Sequence, residues 1–175
     1  MTASSGVDAA AITAEGSFES CGKLPKETLY QRLALNLAAD EKMKATLNIP
    51  VGAAASESIV VTREMTVAHF HPHMPEVYGT PMMIYLMELA AAEAIQEYLP
   101  AGWVSVGVLV NVRHLAATPV GFTVRARAEV ISVEGKTVTF SVEAHDDNGK
   151  IGEGTHVRAP VHLERFNERA KLKLA

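Results

Sequence analysis

Apolar positions repeat along this chain with two different periods, and the changes between them mark its elements. Over residues 26–46 the period is helical. Leu29, Leu33 and Leu37 recur every four positions with Ala34 and Ala38 beside them, while Gln31, Arg32, Asp40 and Lys42 are polar. Pro50 and Gly52 break that pattern. Residues 58–67 are rich in β-branched side chains and predict a first strand. Residues 69–79 hold two prolines and three histidines and predict a loop. Residues 80–98 predict the one long helix of the main domain, closed by Leu99, Pro100 and Gly102.

After that helix the period falls to two. Val104, Val106, Val108, Val110 and Val112 alternate over 104–114 and predict a strand with all five on one face. Over 122–133, Val124, Ala126, Ala128 and Val130 share a face opposite Arg125 and Arg127. Glu134-Gly135 predicts a turn into a strand over 136–146, and Asp147-Asn148-Gly149 is a strong hairpin signal. A last strand over 151–163 and a short charged helix over 164–174 complete the pattern. The order predicts an α+β fold, with a tail over 1–22, a helical extension over 23–48 and a main domain over 49–175. A helix apolar over most of its circumference must be covered. A strongly bent antiparallel sheet wrapped around it does this. Open edges in such a sheet invite pairing with a second copy, so a homodimer or a dimer of dimers is expected.

Composition narrows the function classes. A chain of 175 residues with 48% hydrophobic content suits one sizeable core plus an arm. Its net charge of −4, with signs interspersed, gives no basic stripe for nucleic acid. Cys21 is the single cysteine, which excludes an intramolecular disulfide framework and fits a reducing, cytoplasmic setting. No apolar run approaches a membrane span, and residues 1–22 lack the Lys and Arg of a leader peptide.

Against this background one carboxylate is out of place. On a helix over 80–98, Glu93, Gln96 and Glu97 cluster on a polar face, whereas Glu88 shares the face of Ile84, Ala91, Ala92 and Ile95. Glu88 is therefore expected to be withdrawn from water, either in a structural salt bridge or dimer contact or as a catalytic group. Thr80, between Gly79 and Pro81, has the pattern of an N-cap followed by proline, and its hydroxyl lies two turns from Glu88. His114 ends the valine strand and could move a proton. Gly107 interrupts that strand as if a ligand approached its backbone, and Arg158 in an apolar strand requires a partner. His69, His71 and His73 would share one side of an extended chain, but their spacing matches no familiar closed zinc pattern, so no metal is assigned.

The segment Pro75-Glu76-Val77-Tyr78-Gly79-Thr80, followed by Leu86-Met87-Glu88, resembles the start of the core helix in fluoroacetyl-CoA thioesterases and related hotdog-fold proteins. Residues 112–119, 154–159 (Gly-Thr-His-Val-Arg-Ala) and 162–167 extend the resemblance over about 51–170. It implies a hotdog fold, dimers with sites at the subunit interface, and a catalytic set of Thr80, Glu88 and His114. It also implies substrate contacts at Gly107, Arg158, Met74 and Tyr78, and no cofactor. The implied reaction is hydrolysis of a short-chain acyl-CoA to free acid and CoA. In the resemblance the stretch from His69 to Met74 is a shortened lid, with Met74 in place of a phenylalanine. A hotdog enoyl-thioester hydratase or dehydratase, or a non-catalytic acyl-CoA-binding module, are the alternatives.

Overall fold

A computed structural model describes residues 48–172 of the chain. The tail over 1–22 and the extension over 23–48, save its last residue, lie outside the described residues. The described elements belong to the unit Asp40–Ala175. They are β1 (Ala54–Val60), a one-turn helix α1 (Val67–Phe70), the long helix α2 (Thr80–Gln96), β2 (Trp103–His114), β3 (Thr123–Glu134), β4 (Thr137–Asp146), β5 (Gly149–His162) and α3 (Leu163–Lys171). The strands form one antiparallel sheet in the order β1-β3-β4-β5-β2. Helix α2 contacts all five strands, so the sheet curves around it in the hotdog arrangement.

The core follows the period-two pattern closely. Val124, Ala126, Ala128 and Val130 of β3 and Val138, Phe140, Val142 and Ala144 of β4 are buried with Met83, Leu86, Met87, Ala90, Ala91, Ala94 and Ile95 of α2. Alanines dominate where helix and sheet approach. Gly152 of β5 carries this furthest, since a Cβ there would lie 2.5 Å from Met83 Sδ. The two hairpins form where expected. Gly135 turns with φ +61°, and the Asp146 carboxylate accepts hydrogen bonds from the backbone of Asn148 (2.9 Å) and Gly149 (3.1 Å).

Four expectations need correction. The first strand lies at Ala54–Val60, earlier than 58–67, because its partner sets its limits: pairing with β3 runs from Ala54↔Glu129 to Val60↔Thr123. Beyond Val61 the chain enters a 3-10 turn over Arg63–Met65, with the Thr66 hydroxyl donating to the Arg63 carbonyl at 2.7 Å. The expected loop over 69–79 overlaps α1, which places His69 on a helical turn while His71 is extended, so the three histidines share no single side. The five valines of β2 do not share a face, because a bulge between Gly107 and Leu109 shifts the register: Val104 and Val106 lie opposite Val161 and Ala159, but Val110 and Val112 lie opposite His156 and Gly154. Finally, the sheet covers α2 incompletely: Tyr85 and Leu89, one turn apart, face outward.

Candidate active site

Two side-chain groups lie along the seam between α2 and β2. At the start of α2, Thr80 Oγ1 is 2.8 Å from His114 Nδ1. The N-cap position belongs to Gly79, with extended backbone and no side-chain cap, so Thr80 is the first helical residue and its hydroxyl is engaged by the imidazole instead. Gly152 makes this possible: it pairs with His114 across β2 and β5 and lets Met83 settle onto the sheet. Burial lowers the His114 pKa, with the Ala116 backbone acting the other way, so the ring is neutral at neutral pH. Its Nε2 is buried without a hydrogen-bond partner among the described residues. A neutral imidazole that accepts from a hydroxyl can remove its proton, which is how a weak nucleophile is activated.

The second group surrounds Glu88. Its carboxylate lies 3.8 Å from Arg158 Nη1 and 3.9 Å from His156 Nε2. Gly107 faces it from β2, where a Cβ would come within 2.8 Å of Glu88 Oε1; glycine is the residue that leaves this carboxylate room. Arg158 is buried and its guanidinium is held on every side. Nε donates to Ser105 Oγ (2.8 Å), Nη2 to the Ser105 carbonyl (2.7 Å), and Nη1 to the Glu88 carbonyl (3.2 Å) and to His156 Nε2 (3.1 Å). Burial lowers the Arg158 pKa, and the Glu88 carboxylate opposes that shift.

Several sequence expectations change on this geometry. Glu88 is not sealed from water: its side chain is 35% exposed, because it sits at the rim where the sheet stops covering the helix. Thr80, Glu88 and His114 do not form one hydrogen-bonded set within a chain. Eight residues of helix separate Thr80 from Glu88, about 12 Å along the axis. The start of α2 is a poor source of backbone donors, since Pro81 has no N–H and those of Met82 and Met83 go to the Gly79 carbonyl. Tyr78 is 1% exposed and belongs to the core. Met74 is half exposed over a depression lined by Arg63, Glu64, Ala68, His69, Pro72 and Glu76, apart from both groups. His156 and Ser105 went unnoticed as site residues; the available signal was period two, which sets His156 and Arg158 on one face of β5. Among the described residues no cluster of His, Cys, Asp or Glu has the geometry to hold a metal ion, and no helix is long and apolar enough to cross a membrane.

Comparison with known proteins places this geometry. Residues 61–164 match the family model of the fluoroacetyl-CoA-specific thioesterase. The chain is 43% identical over 129 residues to the fluoroacetyl-CoA thioesterase of Streptantibioticus cattleyicolor, covering 70% of this chain and 93% of that one. A solved structure of a fluoroacetyl-CoA thioesterase superposes with TM-score 0.68 at 42% identity, over 72% of this chain and 98% of the other. A thioesterase-superfamily protein from Thermus thermophilus gives TM-score 0.65 at 36% identity over 72% and 96% of the two chains. A hotdog-like protein from Thermanaerovibrio acidaminovorans gives 0.66 at 29% identity over 73% and 94%. The chain belongs to the fluoroacetyl-CoA-specific thioesterase family of hotdog-fold thioester hydrolases.

Proposed function

We propose that this protein hydrolyses short-chain acyl-CoA thioesters, with Thr80, His114 and Glu88 as its catalytic groups. The observation that carries the reading is the 2.8 Å contact between the Thr80 hydroxyl and a half-buried His114 whose pKa burial lowers. In the proposed reaction the Thr80 oxygen attacks the thioester carbon as His114 takes the hydroxyl proton. The C–S bond then breaks, and the CoA thiolate recovers that proton from the imidazolium. Water completes the cycle: Glu88 takes a proton from the attacking water, the ester C–O bond breaks to give the free acid, and that proton passes on to the departing Thr80 oxygen, which restores the hydroxyl and the Glu88 carboxylate. The substrate class comes from the relative in Streptantibioticus cattleyicolor, whose acyl group has two carbons. Met74, where the resemblance places a lid phenylalanine, lies apart from both side-chain groups, so we assign it no part in selecting fluoroacetyl over other small acyl groups. Acyl-CoA is an intracellular metabolite, which fits the proposed cytoplasmic location.

The site is completed by a second copy. With Thr80 and Glu88 about 12 Å apart along one helix, a single thioester carbonyl reaches only one of them in a given chain. The unpaired edge of β2 carries Val108, Leu109 and Val110 at 60%, 50% and 39% exposure, immediately after Gly107. The other edge, β1, exposes Ala54, Ser56 and Ser58 and a single large apolar side chain, Val60 at 55%. Pairing β2 with its copy covers the apolar stretch, satisfies its free backbone groups and brings a second seam alongside Glu88.

Thiol release from a panel of acetyl-, fluoroacetyl-, propionyl- and butyryl-CoA tests the activity. Turnover is expected for the wild type and a loss of at least about a hundredfold for Thr80→Ala and Glu88→Gln. A wild-type protein that binds these thioesters without releasing thiol would overturn the reading. Mixing the two inactive variants tests the shared site. Random reassociation should restore about a quarter of wild-type activity if each site draws on two chains, and none if one chain holds a whole site.

A further inference from the structure

We infer that His156 is a positioning residue. Held in one neutral tautomer, it ties the β2 bulge to the backbone of α2 at Glu88 through Arg158. The inference rests on the reading of Glu88 as a catalytic group. His156 is 1% exposed, on the face of β5 that looks toward α2. Its Nδ1 lies 2.9 Å from the Leu109 carbonyl, which can only accept, so Nδ1 carries the hydrogen. Its Nε2 lies 3.1 Å from Arg158 Nη1, which can only donate, so Nε2 presents a lone pair. One form of the ring meets both demands: neutral, with the proton on Nδ1.

The two partners give this link its consequence. Leu109 is the first residue paired with β5 after the bulge that begins at Gly107, so the Nδ1 hydrogen bond holds the strand where it departs from regular pairing. Arg158 is gripped from the other side by both the hydroxyl and the carbonyl of Ser105, and its Nη1 also donates to the Glu88 carbonyl. Four acceptors therefore fix the guanidinium, and none of them is a carboxylate oxygen. The Glu88 carboxylate, at 3.8 Å, is outside hydrogen-bond range and stays available beside the Gly107 gap. Arg158 thus serves the site by holding the helix backbone at residue 88, and His156 Nε2 is the one side-chain acceptor on the Nη1 that reaches that backbone. A proton on Nε2 would confront a guanidinium hydrogen instead. Burial lowers the His156 pKa and Arg158 adds to that, against the Leu109 carbonyl and Glu88. Phe140 packs near the ring from β4 and brings no charge.

Two substitutions of similar size separate the ring's functions. His156→Asn keeps a donor for Leu109 and loses the acceptor for Arg158; His156→Gln extends an acceptor to the place of Nε2. The expected result is a kcat about a hundredfold lower for His156→Asn with KM nearly unchanged, the signature of a misplaced reacting group. His156→Gln should recover most of that loss. Equal kcat values for the two variants would overturn the proposal. The wild type supplies a readout independent of variant folding. Ring nitrogen chemical shifts at pH 7 should report the neutral Nδ1–H tautomer, and an Nε2–H tautomer or an imidazolium would sink the idea. That readout needs no turnover, so a wild type inactive on acyl-CoA would count against the proposed function while the tautomer still decides this inference.

Discussion

At the scale of single residues, the site depends as much on absent atoms as on present ones. Gly107 is the clearest case. A Cβ there would meet Glu88 Oε1 at 2.8 Å, the far end of a flexible carboxylate, and His156 Cε1 at 3.2 Å, which a shift of a few tenths of an ångström relieves. Gly107→Ala should therefore leave the fold nearly intact, with a Tm change within about 4 °C. It should lower kcat/KM by roughly a hundredfold because Glu88 is displaced. Kinetics and thermal melting on the same sample check both halves, and a large loss of Tm with activity per folded molecule unchanged would contradict it. Proton inventory at His114 yields a second prediction. Burial depresses its pKa, so the basic form persists below the ordinary histidine value of 6.5. The acidic limb of the kcat/KM profile should then have its midpoint below pH 6.5. A limb lying above that value would exclude His114 as the base. Glu88 was legible because a carboxylate breaks its apolar face, whereas Thr80 has an ordinary helix-start pattern and joined Glu88 and His114 only through the resemblance. His156 was not, because a histidine inside an apolar strand is unremarkable until its two nitrogens have partners.

At the scale of elements, β5 is the strand that organises the seam. Its inward positions run Gly152, Gly154, His156 and Arg158: small where α2 and β2 press closest, then polar where the site opens. A Cβ at Gly154 would overlap the Asn111 carbonyl and come within 2.6 Å of the Val112 Cα, both backbone of β2, which cannot move without breaking the pairing of Asn111 with Thr155 and Val112 with Gly154. Gly154→Ala should cost more than about 4 kcal/mol, among the larger effects of single substitutions. Chemical denaturation would show it, and a variant as stable as the wild type would mean that the strands are further apart than described. Sequence periodicity located β3, β4 and β5 to within two residues because both their faces are distinct. It misplaced β1 and misread β2. The limits of an edge strand come from its neighbour, and a bulge inverts alternation without leaving a mark in the pattern.

At the scale of the whole molecule, the native state holds two histidines in the neutral form. His114 and His156 both have lowered pKa values, each chiefly through burial. The sign follows directly. Below their ordinary value of 6.5 the unfolded chain binds protons that the folded chain resists, so stability is full above that pH and falls as pH drops toward the folded-state values. Tm measured from pH 8 down to pH 5.5 should be flat and then decline below about 6.5. Replacing His156 by Gln should flatten part of the decline. A Tm that rises on acidification would contradict the burial of both rings.

Sequence alone determined the α+β architecture, the long helix, the three central strands with their core alanines and valines, the family, and the three residues with chemistry to offer. The architecture and the strands rest on local regularities, since period, turn chemistry and side-chain type survive in one dimension; the family and the set Thr80, Glu88 and His114 came instead from the resemblance of several motifs in order. Only the tertiary structure decided that Thr80 and His114 meet while Glu88 stands apart at the rim. It alone revealed that Gly107 clears space for that carboxylate, that Tyr78 is core, and that Arg158 is held by Ser105 and His156. These depend on which strands lie side by side and in what register, and a single bulge between Gly107 and Leu109 was enough to reset them.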